Sequence, residues 1–150
     1  MAAMTAPALY RDTVLDHYRH PRNRGALAGC THAADGVNAL CGDSLRVELR
    51  CADGRIAGMC FTGETCAITT ATASMLSELV VGRDRDGIAA LDDPFTRLLR
   101  GEIDEDAGLG ALNAMRELRN HPARRKCAEL PFATLRAALE GTPRVSTETA

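Results

Sequence analysis

Three cysteines of this sequence stand among neighbours that suit a metal-bound thiolate. Cys41 is followed by a glycine and then by Asp43, and the glycine lets the backbone turn tightly enough for the thiol and the carboxylate to face one point. Cys66 comes where a strand-like pattern changes to a helical one, and the N-terminus of a helix favours a thiolate. Cys127 follows three consecutive cations at 124–126, which we expect to lower the pKa of its thiol.

Together, three thiolates and one carboxylate oxygen make a closed tetrahedral set of ligands for zinc. With one ligand exchanged, the same sulfurs could hold part of an iron–sulfur cluster. Any one of these cysteines could instead be a small buried hydrophobic residue, and it is their common position in loops or at helix starts that favours a metal. The other cysteines are predicted to be packing residues and the histidines to be surface or capping residues: Cys30, Cys51 and Cys60, and His17, His20, His32 and His121.

Length and composition are typical of one globular domain. The chain has 150 residues, and we predict a single domain over 1–150 with flexible ends at about 1–6 and 142–150. A net charge of −2, without basic residues interleaved with aromatic ones, argues against a nucleic-acid partner. No signal peptide or membrane-length apolar run is visible, and six cysteines without a secretion signal indicate a reducing compartment. We therefore expect a cytoplasmic protein that contacts no membrane.

The middle of the chain has the pattern of two β-strands joined by a tight turn. Apolar and charged residues alternate over 45–50, as they do in a half-buried strand. Asp53 and Gly54 supply a turn, and 56–61 returns as the partner strand. A third strand is predicted within 30–37.

Apolar residues have helical spacing on both sides of this hairpin. Apolar periodicity predicts four helices, at 9–19, 66–82, 88–99 and 109–118. Pro122 opens a last helical segment, which Pro131 should kink or divide in two. Strands followed by helices predict an α+β fold, with a small antiparallel three-stranded sheet packed against several helices.

Several motifs, taken in order, resemble those of the U-type iron–sulfur cluster assembly family, which includes IscU, SufU and the N-terminal domain of NifU. They lie at 9–10, 17–23, 41–43, 63–68, 73–75 and 126–128. The similarity runs from about residue 9 to residue 139, most of the chain. It implies a SufU/IscU-like version of the α+β fold.

Two features of the sequence are similar to the SufU branch of that family. The gap between Cys66 and Cys127 is longer than in IscU-type proteins, and Lys126 stands where those proteins carry a histidine. Two residues depart from the family pattern, because Ala39 replaces a proline and Thr65 replaces a glycine. Both changes alter loop stiffness more than ligand chemistry.

The resemblance implies a role in sulfur trafficking for iron–sulfur cluster assembly. Its implied zinc ligands are Cys41, Asp43, Cys66 and Cys127, with Arg124 beside the metal. Cys41 would accept persulfide sulfur from a SufS-like cysteine desulfurase, and iron–sulfur assembly or acceptor proteins would be further partners. Whether the protein then counts as an enzyme, a zinc-dependent sulfurtransferase acting with the desulfurase, stays open.

Two alternatives use the same residues. In the first, the protein is a scaffold that binds iron or a [2Fe–2S] cluster, assembles the cluster and transfers it. Lys126 argues against this role, because a scaffold gains from a nitrogen ligand at that position. In the second, zinc is purely structural and the domain only binds a partner. A carboxylate ligand favours an exchangeable site over that reading.

Overall fold

Four helices, one 3₁₀ segment and four strands make up residues 6–147, which the structure, a computed structural model, describes. Residues 1–5 and 148–150, parts of the ends predicted to be flexible, lie outside the described residues. The elements are α1 Ala6–Arg19, β1 His32–Asn38, β2 Asp43–Ala52, β3 Arg55–Glu64, α2 Ala67–Leu79, α3 Arg85–Leu99, the 3₁₀ segment Ala107–Asn120, α4 Pro122–Glu140 and β4 Arg144–Ser146. None of the helices within 6–147 combines the length and the apolar character that crossing a bilayer requires.

The predicted hairpin forms the centre of the sheet. Leu45, Val47 and Leu49 of β2 are buried, while the charged residues between them stay more accessible. Asp53 and Gly54 join β2 to β3, with φ of 55° and 75°, the positive values that a tight hairpin turn demands of both its central residues. β1 pairs antiparallel with β2, which confirms the third predicted strand.

The sheet has a fourth strand that the sequence analysis missed. β4 pairs parallel with the free edge of β1, so the order is β3-β2-β1-β4. The chain reaches that edge because Gly141 ends α4 in the left-handed conformation, with φ 76°. The N–H of Asp35 then donates to the Pro143 carbonyl at 2.9 Å. The range 142–150 was predicted to be a flexible end, yet a three-residue strand at 144–146 lies inside it, too short to show any periodicity.

Helix α4 lies against β1 and β2, while α1 packs on α2 and α3 on the 3₁₀ segment. The close approach of α4 depends on Gly36 of β1. A Cβ atom at this position would stand 2.0 Å from the hydroxyl oxygen of Thr134 on α4, so only glycine lets the helix lie this near the sheet. The predicted α+β arrangement is confirmed, and it seats the helix that carries Cys127 against the strands that adjoin Cys41.

One of the two predicted effects of Pro131 is excluded, and another helical prediction needs correction. Helix α4 runs over 19 residues with Pro131 inside it, so the proline does not divide it in two, and a kink stays a prediction. The predicted helix at 109–118 is a 3₁₀ segment in which Gly110 leaves helical geometry, with φ 51° and ψ −127°. The side chain of Asn113 donates to the Gly110 and Asp106 carbonyls, and such local side-chain bonds compete with regular helix formation.

Candidate metal centre

Cys41 lies on the exposed loop that joins β1 to β2. Its N–H donates to the Asn38 carbonyl at 3.3 Å, and the N–H of Gly42 donates to the Ala39 carbonyl at 3.2 Å. Gly42 has a φ of 70°, in the left-handed region where any other residue would be strained. The turn therefore leaves Cys41 on the surface, with its sulfur partly buried against Cys127, while Asp43, directly after Gly42, enters the sheet.

Asp43 is the first residue of β2 and is only 3% exposed. Its Oδ1 accepts the backbone N–H of Cys66 at 2.6 Å, and its Oδ2 accepts the Thr69 hydroxyl at 2.8 Å. A buried carboxylate needs such donors, because water no longer solvates it. Each oxygen still has a second lone pair, so the carboxylate is held in place and can also bind a metal.

Cys66 is the N-cap of α2, as its position in the sequence predicted, with extended backbone angles of φ −69° and ψ 170°. Its side chain makes no capping hydrogen bond. The Sγ atom instead lies 3.6 Å from Asp43 Oδ2 and 3.4 Å from the Thr69 hydroxyl oxygen. The thiol is half-buried and faces the same carboxylate that its own backbone N–H holds.

Cys127 is carried by α4 and is 1% exposed. Its Sγ lies 2.7 Å from Cys41 Sγ, and the side-chain amide of Asn38 donates to it at 3.7 Å. The two sulfurs and a carboxylate oxygen of Asp43 all lie within 4.8 Å of one another. The structure thus brings three of the predicted ligands together, and Cys66 adjoins them through its contact with Asp43.

The two inner thiols have opposite pKa shifts. Hydrogen bonding from Cys127, assisted by the Thr69 hydroxyl, lowers the pKa of Cys66 to about 6. The pKa of Cys127 is raised, because this thiol keeps its proton as the donor to Cys66 and because it is buried. Without a metal, these shifts favour the thiolate form at Cys66 and the protonated form at Cys127, whose sulfur also contacts that of Cys41.

The expectation that the cations at 124–126 lower the pKa of Cys127 is wrong. Lys126 donates from Nζ to the Thr147 carbonyl at 3.0 Å, away from the sulfur. Arg124 is exposed in the first turn of α4, three residues before Cys127. Its place beside the metal stays a prediction.

The remaining cysteines lie outside the cluster. Cys51 and Cys60 are half-buried, as packing residues can be. Cys30 was also predicted to be a packing residue, but it is exposed and donates to the His32 carbonyl at 3.3 Å. His17 was predicted to be a surface or capping residue, but it is 6% exposed. Its Nδ1 lies 2.7 Å from the hydroxyl oxygen of Ser74 on α2, so it belongs to the packing of α1 on α2.

Comparison with known proteins supplies the family. The sequence model of the NifU-like N terminal domain matches residues 9–128, a stretch that holds all four candidate ligands. The chain belongs to this family. The membership inferred from the motifs is therefore confirmed.

The similar proteins include one named as a sulfurtransferase and one named as a cluster assembly scaffold. The chain is 34% identical over 128 residues to the zinc-dependent sulfurtransferase SufU of Bacillus subtilis, covering 85% of this chain and 86% of that protein. It is 31% identical over 137 residues to the iron-sulfur cluster assembly scaffold protein IscU of Thermotoga maritima, covering 91% and 96%. A NifU-like protein (N-terminal) from Brucella abortus has the same fold, with a TM-score of 0.80 at 22% identity over 89% of this chain and 93% of that chain.

Sequence reasoning missed two residues that touch the cluster in this NifU-like domain. Thr69 contacts Asp43, Cys66 and the Cys127 carbonyl. Its place three residues after the N-cap was a usable signal, because a side chain there commonly reaches back to the cap. Asn38 donates to Cys127, and its Oδ1 is buried without a hydrogen-bond partner among the described residues. Nothing local in the sequence predicts that contact.

The donor set fits a zinc or iron ion. Sulfur ligands select such ions over magnesium or calcium, and a single carboxylate completes four donors. The Asp43 carboxylate is already oriented by two hydrogen bonds, which is how protein metal sites commonly fix their ligands. Cys41, Asp43, Cys66 and Cys127 are therefore the residues that could hold such an ion.

Proposed function

We propose that this protein accepts persulfide sulfur on Cys41 from a SufS-like cysteine desulfurase, at a zinc site formed by Cys41, Asp43, Cys66 and Cys127, and so serves iron–sulfur cluster assembly. The observation that carries the proposal is the contrast within one pair of thiols. Cys41 is exposed on its loop, whereas its neighbour Cys127 is buried in α4. One sulfur can therefore meet a partner protein while the other stays inside.

Zinc, when bound, would keep the thiolates from oxidation, because it has no redox chemistry of its own. The chain contributes the unequal anchoring of the ligands. Cys66 and Asp43 are fixed to each other through a backbone N–H, and Cys127 is part of a helix. Cys41 is held only by a glycine-containing turn, so it is the ligand that can leave the cluster at the smallest cost in packing.

The transfer step is a thiol–disulfide type of exchange. The Cys41 thiolate attacks the outer sulfur of the persulfide on the desulfurase. A new S–S bond forms on Cys41 as the old S–S bond breaks. The electron pair of the broken bond leaves with the cysteine of the desulfurase, which becomes a thiolate. The sulfur now on Cys41 is available to downstream assembly or acceptor proteins.

A scaffold for a [2Fe–2S] cluster is the alternative, and the relation to an IscU protein supports keeping it. Lys126 favours sulfur transfer instead, because its ammonium group is engaged with the Thr147 carbonyl and supplies no ligand. Free thiols at all six cysteine positions suit a reducing compartment, and we infer that the protein works in the cytoplasm.

Mass spectrometry after incubation with a desulfurase and cysteine tests the proposal. We expect an added mass of ~32 Da, one sulfur atom, on Cys41. Cys41→Ser should abolish both this mass and any stimulation of the desulfurase, while Cys30→Ser, a change to an exposed thiol away from the cluster, should affect neither. Persulfide on Cys66 or Cys127 with Cys41 unmodified would refute the assignment. A brown protein with iron and sulfide after anaerobic purification would favour the scaffold.

A further inference from the structure

Pro131 leaves one carbonyl of α4 without its helical donor, and that carbonyl belongs to Cys127. In an α-helix the N–H of each residue bonds to the carbonyl four residues earlier, and proline has no N–H. A buried carbonyl without a partner is costly. Here the missing donor is replaced from another helix, because the hydroxyl of Thr69 on α2 lies 3.1 Å from the Cys127 oxygen.

The same hydroxyl reaches two further candidate ligands. The Thr69 oxygen lies 2.8 Å from Oδ2 of Asp43 and 3.4 Å from the sulfur of Cys66. Its single hydrogen faces both the Asp43 carboxylate and the Cys127 carbonyl, as in a three-centre hydrogen bond. Thr69 is 0% exposed, so water cannot take its place at either acceptor.

Two other buried threonines, Thr72 of α2 and Thr134 of α4, bond differently. The hydroxyl of Thr72 donates to the Ile68 carbonyl at 2.8 Å, and that of Thr134 donates to the Leu130 carbonyl at 2.7 Å. Both bonds stay within the threonine's own helix, four residues back, where a buried hydroxyl ordinarily finds its acceptor. Thr69 stands in the first turn of α2, where the residue four back precedes the helix. Its hydroxyl instead joins a strand and another helix at the cluster.

We propose that Thr69 is a positioning residue of the metal centre: its hydroxyl holds the Asp43 carboxylate in the orientation needed to bind metal, and it links α2 to α4. Pro131 contributes by leaving the Cys127 carbonyl without a helical donor, so that this carbonyl can accept from Thr69. The inference rests on the metal site of the proposed function but not on sulfur transfer. Each carboxylate oxygen of Asp43 then accepts one hydrogen bond, Oδ1 from the Cys66 N–H and Oδ2 from the Thr69 hydroxyl. Such hydrogen bonds to ligating carboxylates sustain metal affinity.

Zinc affinity of the reduced full-length protein, measured by competition with a chromophoric chelator, tests the proposal. Thr69→Val keeps the shape and removes the hydroxyl, and we expect affinity to fall ~10- to 100-fold. Thr69→Ser restores the hydroxyl and should stay within about threefold of the wild type on the same scale. Thr72→Val is the matched control, because it removes an equally buried hydroxyl from the same helix, and its affinity should be unchanged.

The absorption spectrum of the Co²⁺-substituted protein gives a second readout, which a loss of packing alone would not move. Thr69→Val should change the ligand-field bands, while Thr69→Ser and Thr72→Val should keep the wild-type spectrum. Pro131→Ala returns a helical donor to the Cys127 carbonyl. Thr69→Val should then lower zinc affinity by a smaller factor in the Pro131→Ala background than in the wild type.

Each outcome decides the question. If Thr69→Val binds zinc like Thr72→Val, or if Thr69→Ser loses affinity as strongly as a valine variant, the hydroxyl has no positioning role and the inference is overturned. If the valine variant fails to fold, Thr69→Ala, which also lacks the hydroxyl, takes its place in both comparisons. If the wild type itself binds neither zinc nor Co²⁺, the proposed zinc site fails, which is a different result from equal affinities among variants that all bind metal.

Discussion

The sulfurs of Cys41 and Cys127 lie 2.7 Å apart, although 86 residues separate the two cysteines in the chain. One belongs to an exposed loop and the other to a buried helical turn. Their contact defines the centre of the candidate metal site. It also determines which bond should form when no metal keeps these thiols apart.

Oxidation of the metal-free protein should join this pair selectively. With hydrogen peroxide as oxidant, the two thiols lose two electrons and two protons to form a disulfide, and the peroxide is reduced to water. Peptide mapping by mass spectrometry, after free thiols are alkylated, should find Cys41–Cys127 as the main disulfide, because the sulfurs of this pair are in contact. Part of Cys66, whose thiolate peroxide also oxidises, should appear as a sulfenic acid. Zinc added before the oxidant should suppress the reaction. A disulfide that contains Cys66 as the main product would contradict this geometry.

Alkylation should report the thiolate character of Cys66. Since the pKa of Cys66 is lowered to about 6, its thiolate persists at neutral pH and is lost only as the pH falls through that value. In metal-free protein the rate of iodoacetamide labelling at Cys66 should therefore be half-maximal near pH 6. Cys127→Ala removes the main donor to this thiolate and should shift the midpoint upward. An unshifted midpoint in that variant would show that Cys127 does not stabilise the thiolate.

Asp43 should control how tightly the site retains metal. Asp43→Ala removes the one oxygen ligand, and we expect zinc affinity to fall by at least about tenfold. Competition with a chelator measures this loss. In the wild type, a chelator in excess should lower the melting temperature, because bound metal increases the free energy of unfolding. In the scaffold alternative the same substitution should lengthen the life of a bound cluster. Asp35→Ala, at a half-exposed carboxylate paired with Arg46, is the control and should leave metal content unchanged.

His17 should make stability depend on pH. Burial, together with the charge of Arg22, holds the pKa of His17 below its ordinary value of 6.5, with Glu78 and Asp16 offsetting part of the effect. The unfolded chain therefore gains a proton on His17 at a higher pH than the folded protein does. Stability should decline as the pH falls below about 6.5 and level off below the lowered pKa.

The physical basis is the hydrogen bond between His17 and Ser74. Ser74 accepts the N–H of Arg22 at 2.8 Å, which leaves its own hydrogen for the Nδ1 of neutral His17. In His17→Asn a carbonyl oxygen can take the place of that nitrogen without titrating. Chemical denaturation between pH 5 and 7, a range that brackets the ordinary pKa of histidine, should show a smaller loss of stability in this variant. Equal slopes in the two proteins would exclude His17 as the source.

Local patterns were enough to predict most elements of the fold. Alternation over 45–50, a turn at Asp53 and Gly54 and a helix start at Cys66 each depend on residues close together in the chain, and all three are present. β4 escaped detection because a three-residue strand has no period. Local pattern could not show that α4 continues past Pro131, because the carbonyl that this proline leaves without a helical donor finds a hydroxyl on another helix.

The residue types alone specify the donor groups of the candidate site, namely three thiols and a carboxylate, with Gly42 shaping the turn between the first two ligands. How those groups act on one another depends on the packing of distant elements. Packing of α4 on the sheet over Gly36 brings Cys127 beside Cys41. Hydrogen bonding with Cys66, together with burial, raises the pKa of Cys127 there despite the cations before it in the chain. The reason is physical: a donor atom's type is a property of its residue, whereas its charge state and its neighbours are set by the solvent and the side chains that folding removes or brings near.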